Sequence, residues 1–569
     1  MSTADISYDR RSFMGYFASI GLGSTLLPGV LWAQAGQQGA EITTATIACA
    51  EELAGLEFSE EERTNIARGL RNRRQQIAQL REMKLDNSVA PALVFNPLPE
   101  GMKANTERKK MVRSKATVRA VPRDEELAFL PVTELSELVR TRKVSSMQLT
   151  QLYLSRLKKY DPALLCVVNL TEERALTHAK AADEEISRGR YRGPLHGIPW
   201  GAKDLLAVKG TPTTWGTPPF KDQVIDMDAT VVQRLDAAGA VLVAKLTLGE
   251  LAQGDRWFGG MTRNPWNVEQ GSSGSSAGPA SATAAGLVGF AIGSETQGSI
   301  SSPATRCGVT GLRPTYGLVP KTGAMALSWS MDKLGPICRS AEDCALVLSA
   351  IYGPDGKDRS VIEAAFNYDA SVKPSALRVG YTKSAFEREL PADATANQKA
   401  GRQFDVEVLT ALREIGVTLI PVELPQIRYF GNFILGIEAA AAFDEFTRSG
   451  KVKEMTPQST WGDTFRNARF VSAVEYINAN RARSLAIEEW AKLMKDVDVV
   501  VSPTNGGHLT ATNLTGHPAV IMPNGFTENG TPTSITFLGQ LFGEGKLLAL
   551  ANAYQRKTGF QLKRPTLPG

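Results

Sequence analysis

Three short segments of the chain concentrate residues that are able to do nucleophilic chemistry. The first, "GIPWGAKD", ends on Lys203 and Asp204, and the second, "QGSSGSSAGPASATAAGLV", places four serines among glycines. The third, "GFAIGSETQGSISSPATRCGVTG", carries six Ser or Thr residues before Cys307. A serine hydroxyl is a weak nucleophile until a neighbouring base takes its proton. The segments are therefore either flexible Gly-rich loops or parts of a site that activates a serine.

Composition and missing motifs exclude several other classes. The chain contains no P-loop and no G-x-G-x-x-G motif after a strand. A net charge of +5 on 569 residues, with no basic block interleaved with aromatics, argues against a nucleic-acid partner. No C-x-x-C pair occurs and the cysteine count is odd, which argues against a disulfide framework and a zinc site. We expect no metal and no cofactor. The four histidines are dispersed, so a reactive serine needs a base other than histidine unless one of them reaches it in the fold.

Taken together, the ordered motifs of the chain resemble the amidase signature family. That family has a Gly-Ser-rich segment, a helix of small residues, a Thr-x-Gly-Gly-Ser-Ile loop and an upstream Gly-Ile-Pro-x-x-x-Lys-Asp. The resemblance runs over roughly 130–565 and includes "NPWN" at 264–267, the stretches 307–324 and 330–340, and "NLTGHPAVIMPNG" at 513–525. It implies an α/β fold whose central mixed, twisted β-sheet is covered by helices on both faces.

The resemblance also implies a Ser-Ser-Lys triad. Ser299 is implied as the nucleophile, Ser275 as the hydroxyl that bridges it to the base, and Lys203 as that base. The family keeps 24 positions between bridge and nucleophile, which selects Ser275 over Ser272 and Ser273. A cis peptide bond is expected between Ser275 and its predecessor, glycine. Lys203 must be neutral to act, since an ammonium has no lone pair, and burial would lower its pKa.

Substrate-binding groups follow from the same resemblance. The backbone N–H groups of Thr296, Gln297, Gly298 and Ser299 are expected to bind the oxyanion, because such groups at the start of a helix have no partner within it. Ser276, like Ser273, is expected to bond either the backbone or the substrate through its hydroxyl.

Two positions of the third segment depart from the family pattern. Gln297 replaces a glycine, so its backbone must avoid a positive φ. Ser301 replaces an arginine, whose ordering role is lost unless Arg306 takes it over. We expect Asp332 to pin a turn near the site. Structural rather than chemical roles are expected for Asp204, His196 and Cys307.

The implied activity is hydrolysis of a carboxylic amide to carboxylate plus ammonia or amine, through an acyl-enzyme. Esters, carbamates and aryl anilides are alternative substrates, since the same intermediate serves them. An amidotransferase A-type subunit is a third possibility. The expected partner is a small-molecule amide, and the protein is expected to be a monomer or homodimer. The aromatic-rich segment 427–446 is predicted either to line an apolar acyl pocket or to form a core helix.

The elements that must position these residues alternate between helix and strand. Two helices are predicted within 130–162, with capping by Thr133 in the first and Ser145 in the second. Strands are predicted at 240–245, 376–381 and 417–422, a helix at 397–414, and a buried strand at "DVDVVVSPT". This alternation independently favours an α/β sheet.

The N-terminus carries features of an export signal. Arg10 and Arg11 precede Ser12-Phe13, an apolar run and an Ala-Gln-Ala site, which resembles a twin-arginine signal. Glycine, serine and proline within the run disfavour a stable membrane span. We expect a signal at 1–35, a helical and extended N-terminal extension at 36–129, and the catalytic domain at 130–569. The mature protein is expected to be periplasmic or secreted.

Overall fold

A mixed sheet of eleven strands organises the protein. The computed structural model describes residues 42–116 and 120–568. The spatial order of the strands is β1-β3-β2-β8-β10-β9-β14-β15-β13-β11-β12. Their bounds are β1 (Val167–Leu170), β2 (Pro199–Lys203), β3 (Val241–Leu246), β8 (Phe290–Glu295), β9 (Thr310–Arg313), β10 (Lys333–Cys338), β11 (Val379–Thr382), β12 (Leu419–Val422), β13 (Val499–Pro503), β14 (Ala519–Phe526) and β15 (Pro532–Gly539). Two small two-stranded sheets pair β4 (Arg256–Trp257) with β5 (Gly260–Met261) and β6 (Arg263–Asn264) with β7 (Asn267–Gly271).

Helices flank this sheet. They are α1 (Thr44–Ala54), α2 (Glu60–Glu82), α3 (Asp124–Leu127), α4 (Val132–Arg140), α5 (Ser146–Leu164), α6 (Glu172–Ser187), α7 (Thr230–Ala237), α8 (Ala277–Ala284), α9 (Ser301–Cys307), α10 (Ala341–Ile351), α11 (Lys383–Glu387), α12 (Ala396–Glu414), α13 (Gly431–Ala442), α14 (Asp444–Arg448), α15 (Trp461–Asn467), α16 (Ala473–Lys495), α17 (His508–Thr515) and α18 (Glu544–Thr558). Short 3-10 turns occur at Pro218–Phe220, Glu250–Ala252, Pro374–Ala376, Lys451–Glu454, Ala468–Phe470 and Phe560–Leu562.

The sheet is buried on both faces, as the predicted α/β class requires. Strand β2 runs parallel to β3 and β8, and β11 runs parallel to β12 and β13, whereas the other pairs are antiparallel. Every residue of β2, β3, β8 and β10 is buried. Successive side chains of β3 enter different cores: Leu242 packs in one cluster, Val241 and Val243 in another. The predicted α/β fold is confirmed.

The predicted N-cap of α5 is present in the structure, whereas the predicted N-cap of α4 is not. Ser145 caps α5 by accepting from the Gln148 N–H, and the Gln148 side chain accepts in return from the Ser145 N–H. The prediction of Thr133 as a cap is wrong. Helix α4 begins at Val132 with Pro131 at its N-cap, so Thr133 lies inside the first turn. The N–H of Thr133 instead donates to the Asp343 carboxylate at 3.0 Å. A carboxylate from another helix thus satisfies that exposed donor.

The region before residue 130 is helical at first and extended later. Helices α1 and α2 are joined by an ion pair between Glu51 and Arg63, 2.8 Å apart. Between α2 and α3, residues 83–116 and 120–123 form no helix or strand, and Val112 forms an isolated bridge with Asp369 on the body. No helix in the described ranges is long and apolar enough to cross a membrane. The predicted signal lies outside the described residues.

Candidate active site

Lys203 ends a central strand and is enclosed by hydroxyl groups. It is the last residue of β2 and is fully buried. Its Nζ lies within hydrogen-bond distance of three hydroxyls: Ser275 Oγ at 2.8 Å, Ser294 Oγ at 2.9 Å and Ser276 Oγ at 3.1 Å. A strand with neighbours on both sides holds this side chain in the interior. The structure therefore brings Lys203 together with the two predicted serines of the second segment.

Burial sets the charge of this amine. It lowers the pKa of Lys203 well below its ordinary value, and the carboxylates of Asp332 and Glu295 oppose this effect only partly. Within the described residues, neither carboxylate forms an ion pair with the amine. An uncompensated buried ammonium is costly, so the neutral amine is favoured.

The hydroxyl network is compatible with a neutral amine. Ser276 Oγ donates to the Ser294 carbonyl at 3.0 Å and so presents a lone pair to Lys203 Nζ. A neutral amine has two N–H donors and one lone pair. One of the remaining hydroxyls, on Ser275 or Ser294, is therefore free to donate to that lone pair.

The loop around Ser275 has a tightly constrained backbone. The Gly274–Ser275 peptide bond is cis, as the resemblance implies. A Cβ added at Gly274 would lie 1.8 Å from the Gly254 carbonyl oxygen, so no larger residue fits there. The Ser272 hydroxyl donates to the Ser273 carbonyl rather than to Lys203. Neither Ser272 nor Ser273 reaches the amine, in agreement with the choice of Ser275.

Ser299 lies in the turn between β8 and α9. Its carbonyl accepts from the Ser276 N–H at 3.0 Å, which ties the second and third segments together. Its half-buried hydroxyl makes no hydrogen bond to any other described residue. The expected contact between the hydroxyls of Ser299 and Ser275 is thus not a hydrogen bond in this structure. Contacts of this type often tighten only when substrate is bound.

The turn that ends in Ser299 presents unpaired backbone donors. The N–H groups of Thr296, Gln297, Gly298 and Ser299 have no acceptor among the described residues. Gly298 has a φ of 94°, whereas Gln297 keeps a negative φ, so the positive angle falls on the remaining glycine. The Gln297 amide donates to Thr510 Oγ1 at 3.1 Å. Replacement of the family glycine by Gln297 is therefore accommodated by the backbone.

Glu295 stabilises the start of α9 directly after this turn. Its Oε2 accepts from the N–H groups of Ile300 and Ser301 at 2.9 and 2.8 Å, and from the Ser301 hydroxyl at 2.8 Å. Its Oε1 accepts from Arg313 and Asn513, each at 2.8 Å. Although burial acts to raise it, the Arg313 charge and these hydrogen bonds lower the pKa of Glu295 to about 2.

The structure shows which residue supplies a cation where the family has an arginine at position 301. Arg306 does not replace the missing arginine, because it is exposed and donates only to Gln270 at 3.4 Å. Arg313, from β9, supplies the buried cation instead. The Ser301 hydroxyl joins the same carboxylate, so this turn is ordered without an arginine at 301.

Asp332 pins two parts of the site, as predicted. Its Oδ2 accepts from the N–H groups of Leu327 and Ser328, and its Oδ1 accepts from Thr296 Oγ1 at 2.6 Å. The adjacent Lys333 is also buried; its Nζ donates to the Met331 carbonyl. Burial lowers the pKa of Lys333 well below its usual value.

The residues expected to be structural have structural contacts. Asp204 pairs with Lys245 at 2.6 Å, both fully buried. His196 is buried and its Nδ1 accepts from the Arg192 N–H at 3.1 Å. Cys307 is buried, with its Sγ 3.7 Å from the Ser272 carbonyl oxygen. In the described part of the chain, no cluster of His, Cys, Asp and Glu is arranged to hold a metal ion.

A cavity of about 780 Å³ adjoins the site. Ser294 and Thr296 form its wall on the Lys203 side, and Trp215, Leu327 and Trp329 supply apolar surface. Residues 86–94, called the strap here, form a further wall. No residue of 427–446 lines this cavity; that segment contains α13, which buries Ile434 and Ala439, so the core-helix alternative is correct.

Sequence reasoning missed several residues that shape the site. Ser294 was not singled out from the sequence, yet its hydroxyl contacts Lys203. Its position near the end of a strand, next to the strand that bears Lys203, was an available signal. Arg313 gave no local signal, because its partners, Glu295, Thr512 and the His517 carbonyl, lie far away in the sequence.

Comparisons with known sequences and structures show which family the chain resembles. The family model described as Amidase matches residues 148–511. The A-type subunit of the glutamyl-tRNA(Gln) amidotransferase of Acinetobacter baumannii is 33% identical over 494 residues, which cover 78% of this chain and 99% of the relative. The solved peptide amidase of Stenotrophomonas maltophilia has a TM-score of 0.67 and 29% identity, over 77% of this chain and 98% of its own. An amidase family protein from Bacillus anthracis strain Ames has a TM-score of 0.69 and 25% identity, over 78% and 94%.

The matched region includes the strand that carries Lys203 and the loops that carry Ser275 and Ser299. It accounts for most of the sheet described above. The chain therefore belongs to the amidase family.

Proposed function

We propose that the protein is a serine amidohydrolase that cleaves the C–N bond of a linear carboxylic amide through an acyl-enzyme. One observation carries this proposal. A buried lysine amine lies 2.8 Å from the Ser275 hydroxyl, beside a turn of unpaired N–H groups that ends in Ser299. A base, a proton relay, a nucleophile and an oxyanion site are the four parts that acyl transfer needs.

The proposed first step is attack by Ser299 Oγ on the amide carbonyl carbon. The hydroxyl proton passes to Ser275 Oγ, and the Ser275 proton passes to the neutral amine of Lys203. For this, the Ser299 side chain turns toward Ser275 when substrate binds. The oxyanion is held by the backbone N–H groups between Thr296 and Ser299. Loss of one such donor typically raises the barrier by about 3 kcal/mol.

In the second half of the proposed reaction, protons pass along Ser275 first away from Lys203 and then back to it. The protonated Lys203 returns its proton through Ser275 to the nitrogen of the leaving group, which departs as ammonia or amine. Water then attacks the acyl-enzyme and gives its proton to the same relay. Carboxylate is released and Ser299 regains its hydrogen. Esters, carbamates and anilides are alternative substrates, because each forms the same intermediate.

Substitution of Ser299 tests the nucleophile. Ser299→Ala is expected to lower kcat/KM on any substrate found by about 10³-fold or more, because it removes the hydroxyl that is proposed to form the acyl-enzyme. Wild-type protein is expected to be labelled by a fluorophosphonate at Ser299, located by mass spectrometry. Ser302→Ala, in the first turn of α9 directly after this loop, is the matched control and should keep both activity and label. Full turnover by Ser299→Ala would remove the assignment.

A second candidate function is suggested by the relatives. The Acinetobacter protein that is 33% identical to this chain is an A-type subunit of an amidotransferase. In such a role the leaving ammonia would pass to a second acceptor instead of being released. Co-purification of other subunits together with glutamine-dependent amidation of a charged tRNA would favour this alternative. Hydrolysis of simple amides by the chain alone favours the hydrolase.

We further propose the following organisation and location. Residues 1–35 act as a twin-arginine export signal, 36–129 form an extension, and 130–569 form the catalytic domain. The mature protein is periplasmic or secreted, acts as a monomer or homodimer, and needs a small-molecule amide as its only partner. The pair Arg10-Arg11 ahead of Ser12-Phe13 supports export.

A further inference from the structure

We propose that the strap, residues 86–94, is a specificity-determining wall of the substrate cavity and limits the length of the acyl group that binds. This inference rests on the proposed function for the identity of the ligand. It concerns residues outside the part of the chain that the family model matches, which begins at residue 148. The strap therefore offers a source of substrate selection that the relatives do not predict.

The strap is fixed to the cavity wall near its first residue. The Asn87 side chain donates to the Ala326 carbonyl at 2.9 Å and accepts from the Ala326 N–H at 2.8 Å. Ala326 itself lines the cavity. A paired amide contact of this kind fixes both the position and the direction of the chain entering the strap.

The strap is fixed again directly after its last residue. The ring of Phe95 packs on Tyr316, with centroids 5.0 Å apart, and the Arg483 guanidinium lies 3.3 Å from the Phe95 centroid. Tyr316 lines the cavity, and its hydroxyl donates to the carbonyl of Trp329, another lining residue. Both attachment points are therefore parts of the cavity wall.

Between these points the strap crosses the cavity with little other support. In the described residues, the backbone N–H groups of 88–94 make one backbone hydrogen bond, Val89 N–H to the Asp86 carbonyl, and it is internal to the strap. Ala90, Pro91 and Ala92 line the cavity. These three side chains are small and exposed, and Leu93 and Val94 line the cavity beside them, so a larger side chain at position 92 is expected to occupy part of the space. Val89 does not line the cavity.

The other walls are mostly apolar, although the charged residues Lys321, Asp332, Asp358 and Arg359 also line them. Trp215, Leu327 and Trp329 face the same space, which is of the size that binds a small organic molecule. Ser294 connects this space to Lys203. An aliphatic or aryl acyl group attached at Ser299 would extend from the reacting carbon toward the strap.

Binding of two anilides tests the inference without turnover. In the Ser299→Ala background, calorimetry measures the Kd of acetanilide and of octananilide. Ala92→Trp is expected to weaken octananilide binding by about tenfold or more and to leave acetanilide unchanged, because only the longer chain reaches the strap. Val89→Trp is the matched control and is expected to change neither value.

The outcomes separate this inference from the proposed function. Equal weakening of both ligands, no change with either, or no binding of octananilide would overturn the strap as a length-limiting wall. Absence of hydrolysis and of fluorophosphonate labelling in unsubstituted protein would overturn the proposed function, yet a length-dependent change in Kd would still support the wall.

Hydrogen exchange gives a second readout. Asn87→Ala is expected to speed hydrogen exchange at 88–94. Asn96→Ala is the control and is expected to leave that exchange unchanged, because among the described residues the Asn96 side chain bonds only the nearby Leu98 N–H.

Discussion

At the scale of single residues, the protonation of Lys203 decides what the site can do. The amine has hydroxyl partners alone, and burial lowers its pKa well below the usual value. The same environment that disfavours its charge leaves a lone pair next to Ser275. Lys245 shows the contrast, because it is equally buried but pairs with the Asp204 carboxylate. Burial lowers the pKa of Lys245 as well, but its paired carboxylate opposes that shift, whereas Lys203 has no such ion pair among the described residues.

Replacement of Lys203 by methionine tests its role as base. We expect Lys203→Met to lower kcat/KM by about 10²–10⁴-fold, the usual contribution of a general base. In wild type, activity should fall as pH drops through the lowered pKa, since the amine then gains a proton, and should persist above it. The pH–rate profile of Lys203→Met should lack this limb.

Lys209→Met provides the control for that measurement. Lys209 is exposed and pairs with Asp226 at the surface. Its substitution is expected to leave both the rate and the pH profile as in wild type. A profile for Lys203→Met with the wild-type limb would contradict the assignment of Lys203 as base.

At the scale of elements, the turn between β8 and α9 depends on one buried carboxylate. Glu295 accepts the first N–H groups of the helix and pairs with Arg313 from the neighbouring part of the sheet. This leaves the preceding N–H groups, from Thr296 to Ser299, without internal acceptors. The shape of this turn is thus maintained by contacts to its supporting strand.

Glu295→Gln is expected to destabilise the protein by about 3–5 kcal/mol, because it leaves the Arg313 charge buried without a partner. Chemical denaturation at pH 7 measures this. The wild-type carboxylate has a pKa of about 2, below its unfolded value, so its stabilising effect is present at neutral pH. That effect should be lost as pH falls from about 4.5 toward 2, and the variant should lack this component.

A surface pair serves as the comparison. Glu137→Gln removes the partner of Arg140 in an exposed ion pair at 2.6 Å. We expect a change below about 1 kcal/mol. If Glu295→Gln were equally mild, the buried pair would not be what stabilises the turn.

At the scale of the whole molecule, the sheet collects residues from distant parts of the sequence. Lys203 comes from β2, Glu295 from β8, Arg313 from β9 and Asn513 from α17. Motif order and spacing were enough to predict the fold class and to select Ser275, whose cis peptide bond and contact with Lys203 the structure contains. The fold class and the choice of Ser275 could be predicted because both depend on short sequence segments with a recognisable motif.

The remaining features depend on contacts that no local pattern encodes. The Asn513 side chain reaches Glu295 across 218 positions, and Asn87 reaches Ala326 across 239. The prediction of Thr133 as a cap failed for a similar reason, since a carboxylate from α10 bonds its N–H. The cavity wall formed by 86–94 was likewise invisible, because alanine and proline in an extended segment have no chemical signature.

Export is a property of the whole chain and is tested as such. Arg10-Arg11→Lys-Lys is expected to keep the protein in the cytoplasm, because a twin-arginine signal requires the arginine pair. Cell fractionation with immunodetection measures this, and Arg73-Arg74→Lys-Lys is the matched control that should still be translocated. Translocation of the Arg10-Arg11 variant would count against the signal.

The two attachment points of the strap also set an order of events during synthesis. Asn87 leaves the ribosome long before Ala326, its partner 239 residues later, and Phe95 precedes Tyr316 in the same way. A contact between such distant positions forms only after the intervening chain has been made and brought together. Neither of these contacts can therefore form before residues 316–326 have been made, so this wall of the cavity is absent while only the N-terminal part of the chain exists.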